Sequence, residues 1–443
     1  MRRLLFIFSF LSLLVVDGKA QEVEILTLED CLRIGIDNNL SLEGKRKEIQ
    51  KSKYGVSENR SKLLPQITAI AGYNNNFDPP VSVTDGSSYG VPYNITKTLQ
   101  HTANAGLEMQ MPLFNQTLYT SMSIAKVMEE ISRLSYGKAR EDIIMQISKM
   151  YYLGQVTAEQ IVLIKANITR LEELRDITQA FFDNGMSMEV DLKRVNINLE
   201  NLKVQYDNAQ AMMKQQLNML KYIMDYPAEK EFVLTPVNTD SITTVALTGL
   251  SENIYELQLS QSQVQLAEKQ KKIISNGYIP SLSLTGSWRY AAYTDKGYHW
   301  FHSGPSNHWF RSYGLGLTLR IPIFDGLDKT YKIKKAMIDI ENSKLAWENA
   351  RKSLQTQYLN AVNDLMNNQR NFKKQKDNYL LAEDVYTVTS DRYREGIASM
   401  TEVLQDEMQM SEAQNNYISA HYNYRITNLM LLKLTGQIES LVK

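Results

Sequence analysis

The residues Met111-Pro112-Leu113-Phe114 and Ile321-Pro322-Ile323-Phe324 are two copies of one pattern, 210 residues apart, and both follow segments in which apolar and polar side chains alternate. Alternation with a period of two is the pattern of a β-strand that has one apolar and one polar face. The segments between the strands, 78–99 and the stretch around His299, are predicted to be long loops. Four strands are predicted in all: 66–77, 101–113, 281–293 and 312–323.

Long tracts without proline follow both copies of the pattern. The chain has no proline between Pro112 and Pro227 and none after Pro322. Because proline disrupts helix interiors, its absence permits long helices there. In the second tract, apolar residues recur every seven residues in two ladders, which is the a/d pattern of a coiled coil. Asn184-Gly185 and Glu395-Gly396 are natural turns that divide each tract in two. The pattern predicts two helical hairpins: 113–225 and 325–436.

The order of these elements repeats along the chain. Leu64-Pro65 before the first strand matches Ile279-Pro280 before the third. We therefore predict two tandem repeats, each made of a helix, a β-hairpin and a helical hairpin. The predicted layout is a signal peptide at 1–20, repeat 1 at 21–225 with its β-hairpin at 65–112, an inter-repeat segment at 226–248, repeat 2 at 249–436 with its β-hairpin at 280–322, and a tail at 437–443.

Residues 1–20 have the three parts of a secretory signal peptide. Met1-Arg2-Arg3 is basic, 4–16 is apolar, and Gly18-Lys19-Ala20 places small residues at −3 and −1 of a cleavage site. An uncleaved anchor is the alternative. Cys31 is the single cysteine of this chain, so we predict a small buried apolar residue instead of a disulfide partner.

The composition excludes several classes of protein. The chain of 443 residues has 49 basic and 49 acidic residues, which argues against a nucleic-acid binder. Its mean hydropathy of −0.35 argues against a bundle of membrane helices. The sequence has no Gly-x-Ser-x-Gly, no His-Glu-x-x-His and no phosphate loop, so we predict neither an enzyme nor a cofactor.

The two-faced strands suit an outer-membrane β-barrel, where lipid contacts one face and water the other. A soluble β-sandwich is the alternative. Four strands cannot close a barrel, and lipid does not tolerate an open edge. Two chains would supply eight strands and three chains twelve. Because the helices begin and end where the strands do, they would continue the barrel as a tube of coiled coils, with 226–248 as a collar.

Several short motifs stand in a fixed order along the chain: Leu26-Thr27-Leu28-Glu29-Asp30-Cys31-Leu32, Asn38-Asn39-Leu40, Ser61-Lys62-Leu63-Leu64-Pro65 and Leu434-Thr435-Gly436. Taken together, these motifs resemble the TolC-type outer membrane efflux proteins. The resemblance implies an α+β membrane protein: a homotrimer whose twelve-stranded outer-membrane barrel, with four strands per chain, continues as a long periplasmic α-helical barrel. It implies a passive exit duct of a tripartite efflux pump or a type I secretion system. The implied partners are outer-membrane lipid, a periplasmic adaptor and an inner-membrane pump or ABC transporter.

The resemblance also implies a gate at the periplasmic end, where the family narrows its pore with two acidic side chains one helical turn apart. Glu402 matches the first acidic position, but Gln405 stands at the second. A ring formed by Glu402 alone would select cations less strongly, unless Asp191 or Asp406 adds to its charge.

The family closes its gate with a Tyr and an Arg beside the helical turn. Tyr393 matches the Tyr, but Ala398 stands where the Arg is expected, so Arg392 or Arg394 would have to replace it. The turns are also the implied docking surface for the adaptor. Their residues are Asn184, Gly185, Met186, Glu395, Gly396 and Ile397.

Two other functions remain open at this point. One is a trimeric coiled-coil surface protein of the adhesin type with a barrel anchor, although an adhesin needs only one anchor block at a terminus. The other is a soluble helical scaffold. The spacing of His299, His302 and His308 is compatible with a metal site, but the Gly, Pro and Asn around them favour an extracellular loop.

Overall fold

The computed structural model describes residues 24–97, 99–237, 249–294 and 309–442. The predicted signal peptide and the histidine-containing loop lie outside the described residues. In chain order, the α-helices are α1 (Leu28–Asn38), α2 (Leu40–Ser61), α3 (Gln116–Asp183), α4 (Glu189–Met224), α5 (Tyr255–Asn276), α6 (Asp328–Arg394) and α7 (Met400–Leu434). The strands are β1 (Glu24–Leu26), β2 (Gln66–Asn75), β3 (Val81–Asp85), β4 (Tyr93–Lys97), β5 (His101–Phe114), β6 (Phe232–Leu234), β7 (Ser281–Thr294) and β8 (Trp309–Arg320).

The chain forms two compact units, each assembled from separate segments. The first unit comprises the described parts of 1–40, 141–249 and 358–443, and the second comprises 41–140 and 250–357. Each unit therefore takes segments from both predicted repeats, and helices α3 and α6 contribute to both units.

Helices α3, α4, α6 and α7 occupy the tracts that lack proline. In the first unit, leucines of α3 and α4 pack with tyrosines of α6 and with apolar residues of α7. Tyr386 and Tyr393 of α6, which lie seven residues apart, are both buried there. The buried cluster consists of Leu171, Leu174, Val195, Leu199, Leu202, Tyr386, Tyr393, Met400, Val403, Leu404 and Met410.

The second unit contains a four-stranded antiparallel sheet with the order β2-β5-β7-β8. The register places Leu107 beside Ala69 on one side and Trp288 on the other, and Trp288 lies beside Tyr313. Because neighbours across a sheet point to the same face, these residues share the apolar face. The four predicted amphipathic strands thus form one sheet.

The structure differs from the sequence predictions in three local features. The segment 78–99, predicted to be a loop, contains the antiparallel pair β3–β4. The fourth strand is β8, Trp309–Arg320, so Ile321 and Pro322 lie beyond its end instead of within it. Phe77, predicted in the first strand, likewise lies beyond β2. The pattern extended across these ends because apolar residues continue the alternation after the ladder stops.

Strand β6, within the segment predicted to be a collar, pairs in parallel with β1 near the start of the described chain. Tyr151 of α3 fixes this pair, since its hydroxyl donates to the Leu26 carbonyl at 3.2 Å. Cys31 of α1 is fully buried as a free thiol, as the sequence predicted. Burial raises its pKa to about 12, and the Asp30 charge adds to the effect.

In the second unit, a close approach of α3 and α5 is set by small and polar residues. Gly137 leaves room for the Tyr255 ring, because a Cβ at this glycine would lie 2.4 Å from Cε1 of the tyrosine. The Asn276 amide donates to the Thr120 hydroxyl at 2.6 Å, and both side chains are buried. This contact satisfies polar groups that would otherwise be costly to bury.

Candidate functional site

The two helical turns of the first unit have the same backbone geometry. Gly185 and Gly396 have φ angles of 70° and 74°, in the left-handed region that favours glycine. The Met186 N–H donates to the Phe181 carbonyl at 2.7 Å, and the Ile397 N–H donates to its equivalent, Arg392, at 2.8 Å. These are the long-range hydrogen bonds of a Schellman cap, which ends both helices at defined positions.

Side chains at these turns project into solvent. Met186 is 67% exposed and Ile397 is 62% exposed, and Met188 beside them is 73% exposed. Glu395 is exposed as well, whereas Asn184 donates its side-chain N–H to the Ala180 carbonyl at 2.7 Å. The turns therefore present apolar side chains to solvent on a backbone held by the cap hydrogen bonds.

Glu402, the predicted gate acid, caps helix α7. Its carboxylate accepts from the Ser399 N–H at 2.7 Å and from the Ser399 hydroxyl at 3.1 Å, while the Glu402 N–H donates to that hydroxyl at 3.3 Å. The backbone hydrogen bond is the main reason that the pKa of Glu402 is lowered. Sequence reasoning missed this role, although Ser399-x-x-Glu402 is the pattern of a capping box. The carboxylate is thus ionised and fixed at the first turn of α7.

Two other residues predicted for the gate, Gln405 and Asp191, lie near this cap. Gln405 is exposed on the next turn of α7. Asp191, at the start of α4, pairs with Arg194 at 3.3 Å, and Arg194 donates to the Thr401 hydroxyl at 3.3 Å. The Arg194 contact thereby joins the beginnings of α4 and α7.

Tyr393 and Arg394 point to different environments. Tyr393 is buried, and its hydroxyl donates to Thr178 of α3 at 3.2 Å. Arg394 pairs with Asp391 at 3.2 Å and with Glu173 of α3 at 3.4 Å. Both side chains of α6 therefore contact α3. Ala398, at the position where the family has Arg, packs against the apolar cluster instead.

A buried polar layer in this unit was not predicted from the sequence. Asn167 of α3 and Gln414 of α7 exchange side-chain hydrogen bonds at 2.7 and 3.4 Å. Arg170 donates to Asn167 at 3.1 Å and forms a salt bridge with Glu383 of α6. Glu407 of α7 is buried as well. No sequence signal marks these residues, because their burial depends on which helices meet.

The sheet of the second unit has two contrasting faces. On its polar face, Glu108 lies between Thr68 and Ser287 and forms a salt bridge with Arg289. On the opposite face, the apolar side chains of β8 are exposed. Tyr313 is 78% exposed, Leu315 is 80% exposed and Leu317 is 67% exposed. An exposed apolar face of this extent marks a surface that a membrane or a partner protein covers.

Within the described part of the chain, no group of His, Cys, Asp and Glu side chains is arranged to hold a metal ion. None of the helices described is both long enough and apolar enough to cross a membrane. Each unit has its own candidate functional surface: the capped helix turns in the first unit and the two-faced sheet in the second.

The model of the outer membrane efflux protein family matches residues 34–224 and 240–437. The chain belongs to this family. The match confirms the resemblance inferred from the motifs and assigns the protein to the outer membrane and to efflux. It favours the channel over the adhesin and the soluble scaffold.

Individual relatives agree with the family match. Outer membrane protein TolC of Vibrio cholerae is 21% identical, over 86% of this chain and 84% of its own. A probable efflux pump outer membrane protein of Pseudomonas putida, TtgC, is 23% identical over 81% and 75%.

Solved structures have the same fold at lower identity. CusC has a TM-score of 0.77 and 15% identity over 92% of this chain and 91% of its own. The open state of the Neisseria gonorrhoeae MtrE outer membrane channel has a TM-score of 0.74 and 18% identity over 92% and 88%. The chain therefore has the fold of the outer-membrane channels.

Proposed function

We propose that the protein is a passive exit duct: a homotrimeric outer-membrane channel that lets substrates leave the periplasm. The observation that carries this proposal is the sheet β2-β5-β7-β8, which has one exposed apolar face and one polar face. Its two edge strands, β2 and β8, need partner strands, since backbone N–H and C=O groups in lipid must be hydrogen-bonded. Three copies would close a barrel of twelve strands whose polar faces line a water-filled lumen.

The duct has no energy source of its own, because the sequence contains no phosphate loop. We propose that a periplasmic adaptor docks on the two turns and links the channel to an inner-membrane pump or ABC transporter. The exposed Met186 and Met188 support this surface, since methionine side chains are flexible and adapt to a partner, and Ile397 adds exposed apolar area. The name of the Pseudomonas putida relative supports a pump as the partner.

The proposed channel has the organisation that the sequence predicts: a cleaved signal peptide, two repeats and a gate at the helical turns. Cleavage after Ala20 would release a mature chain that begins at Gln21. Two tandem repeats follow, and the segment 226–248 joins them as a collar. The gate would consist of a ring of Glu402, one from each protomer, with Gln405 where a second acidic ring is absent and with Asp191 close to the cap of α7. Tyr393 and Arg394 would support closure through their contacts with α3.

The test uses the full-length protein expressed with its own signal peptide. We expect the protein in the outer-membrane fraction, a mature N-terminus at Gln21 by mass spectrometry, and a trimer in native mass spectra of detergent extracts. In planar bilayers it should form discrete ion-conducting channels. A monomer that is soluble without detergent, or a trimer that never conducts, would contradict the proposed duct.

A further inference from the structure

A single carboxylic acid of α7, Glu407, lies in apolar surroundings close to the proposed gate. It is only 5% exposed and lies between the buried residues Leu404 and Met410 of the cluster that joins α3, α4, α6 and α7. Its Oε1 atom has no hydrogen-bond partner among the described residues. Burying an ionised carboxylate without a partner is strongly unfavourable, so this position favours the neutral acid.

The neighbouring charges do not compensate for this burial. Arg170 of α3 contacts Met410, one turn from Glu407, but its salt bridge goes to Glu383 of α6. Arg394 of α6 is paired with carboxylates of α3 and α6. Tyr386 of α6 lies close enough for a charge on Glu407 to raise the pKa of the phenol, after the larger effect of burial. From α4, the apolar side chains of Val195, Leu199 and Leu202 belong to this cluster.

We propose that Glu407 is a proton-sensitive switch of the gate. When neutral, it allows α7 to pack against α3 and α6 and keeps the periplasmic end closed; when ionised, it weakens this packing and favours opening. The inference rests on the proposed channel function and adds to it a regulatory residue that the family resemblance does not include. Glu402 is different, because its carboxylate is exposed and satisfied by the cap of α7.

The sign of the pH effect follows from the packed and exposed states of the carboxyl. Burial raises the pKa of Glu407 from 4.5 to about 7. Below pH 4.5 the group is neutral in both states, so pH has no effect. Between 4.5 and about 7 the exposed group ionises while the packed group stays neutral, so each pH unit favours the loosened state by up to about tenfold. Above about 7 both states are ionised and the effect levels off.

The experiment measures the open-to-closed ratio of single channels in planar bilayers from about pH 4.5 to about pH 8, the range over which the linkage acts. For the unmodified protein we expect the ratio to rise with pH and to level off above about 7. In Glu407→Gln, which has the same size and no charge, the ratio should stay at the acid value of the unmodified protein. Glu407→Asp retains a carboxyl and should retain the pH dependence.

Glu412→Gln is the matched control, since Glu412 is an exposed acid on the same helix and should follow the unmodified protein. Hydrogen exchange of α7 provides a second measurement: acid should slow exchange in the unmodified protein relative to Glu407→Gln after correction for the intrinsic rate. If Glu407→Gln conducts with the pH profile of the unmodified protein, or if that profile is flat, Glu407 is not the switch. If the unmodified protein does not conduct at any pH, the duct itself is refuted.

Discussion

The amide pair formed by Asn167 and Gln414 allows a sharp test of how α3 and α7 are held together. The two side chains are 1% and 4% exposed, and they exchange hydrogen bonds at 2.7 and 3.4 Å. We consider Asn167→Leu, Gln414→Met and the double variant, because each replacement has a similar size and removes the polar groups.

Asn167→Leu leaves the buried Gln414 amide without these two hydrogen bonds. Gln414→Met leaves the Asn167 N–H without its acceptor, although the Asn167 oxygen still accepts from Arg170. Each single replacement should cost about 1–3 kcal/mol. The double variant replaces both amides by apolar groups, which costs much less than the sum of the singles. Some cost remains, because Arg170 loses its contact with Asn167, although it keeps its salt bridge with Glu383 and its contact with Met410. We therefore expect a coupling energy of about 1–3 kcal/mol between the two positions.

The assay is native-state hydrogen exchange of α7, followed by mass spectrometry of the detergent-purified protein. A loss of about 1.4 kcal/mol should accelerate exchange about tenfold. A matched control exists on the same two helices: Gln160 donates to Asn415 at 3.3 Å, but this amide pair is exposed. Gln160→Met and Asn415→Leu should therefore change exchange by less than about 0.5 kcal/mol. If the costs of the buried pair simply add, the hydrogen bonds do not hold α3 and α7 together.

Three further predictions follow from the described contacts. Glu402→Gln retains the capping-box pattern without the charge and should reduce cation selectivity in bilayers. Ser399→Ala loses the cap but keeps the charge, so it should retain the selectivity. Unchanged selectivity in Glu402→Gln would remove this residue from the gate. Gly396→Ala should lower the free energy of local unfolding at its turn by about 1–2 kcal/mol, and so accelerate hydrogen exchange there, because φ is 74°. Gly55→Ala in the interior of α2 should instead stabilise its helix by about 0.5–1 kcal/mol. Equal effects of the two replacements would contradict the left-handed conformation at Gly396. Because burial raises the pKa of Cys31 to about 12, its thiol should resist alkylation at pH 8 until denaturant unfolds the chain; rapid labelling of the native protein would show that the thiol is exposed.

The local elements of the protein were predictable because local chemistry determines them. Alternating side chains predict the four strands of the sheet, since a strand places successive residues on opposite faces. The absence of proline after Pro112 and Pro322 predicts the long helices, since proline would remove backbone hydrogen bonds. The turns at Gly185 and Gly396 were predictable because glycine adopts the left-handed conformation at little cost.

The gate residues were only partly predictable. The family motif pointed to Glu402, and the turn that precedes it lies where the motif requires. The role of this carboxylate as a helix cap depends on Ser399, and the tie from Arg194 to Thr401 depends on α4 lying beside α7. The cap is local and matches the Ser-x-x-Glu pattern, whereas the Arg194 contact cannot be derived from periodicity, because periodicity describes one element at a time.

Contacts between distant parts of the chain were decided by the tertiary structure. Strand β1 pairs with β6, about two hundred residues away, and β5 pairs with β7 although both strands have other possible neighbours. The burial of Glu407 has the same origin, since a glutamate on a helix is solvated unless other helices cover it. By itself the sequence determined which segments are strands, helices and turns, because these follow from sterics and from the period of the apolar pattern. Only the tertiary structure decided which polar groups lose contact with water, because that depends on which surfaces meet.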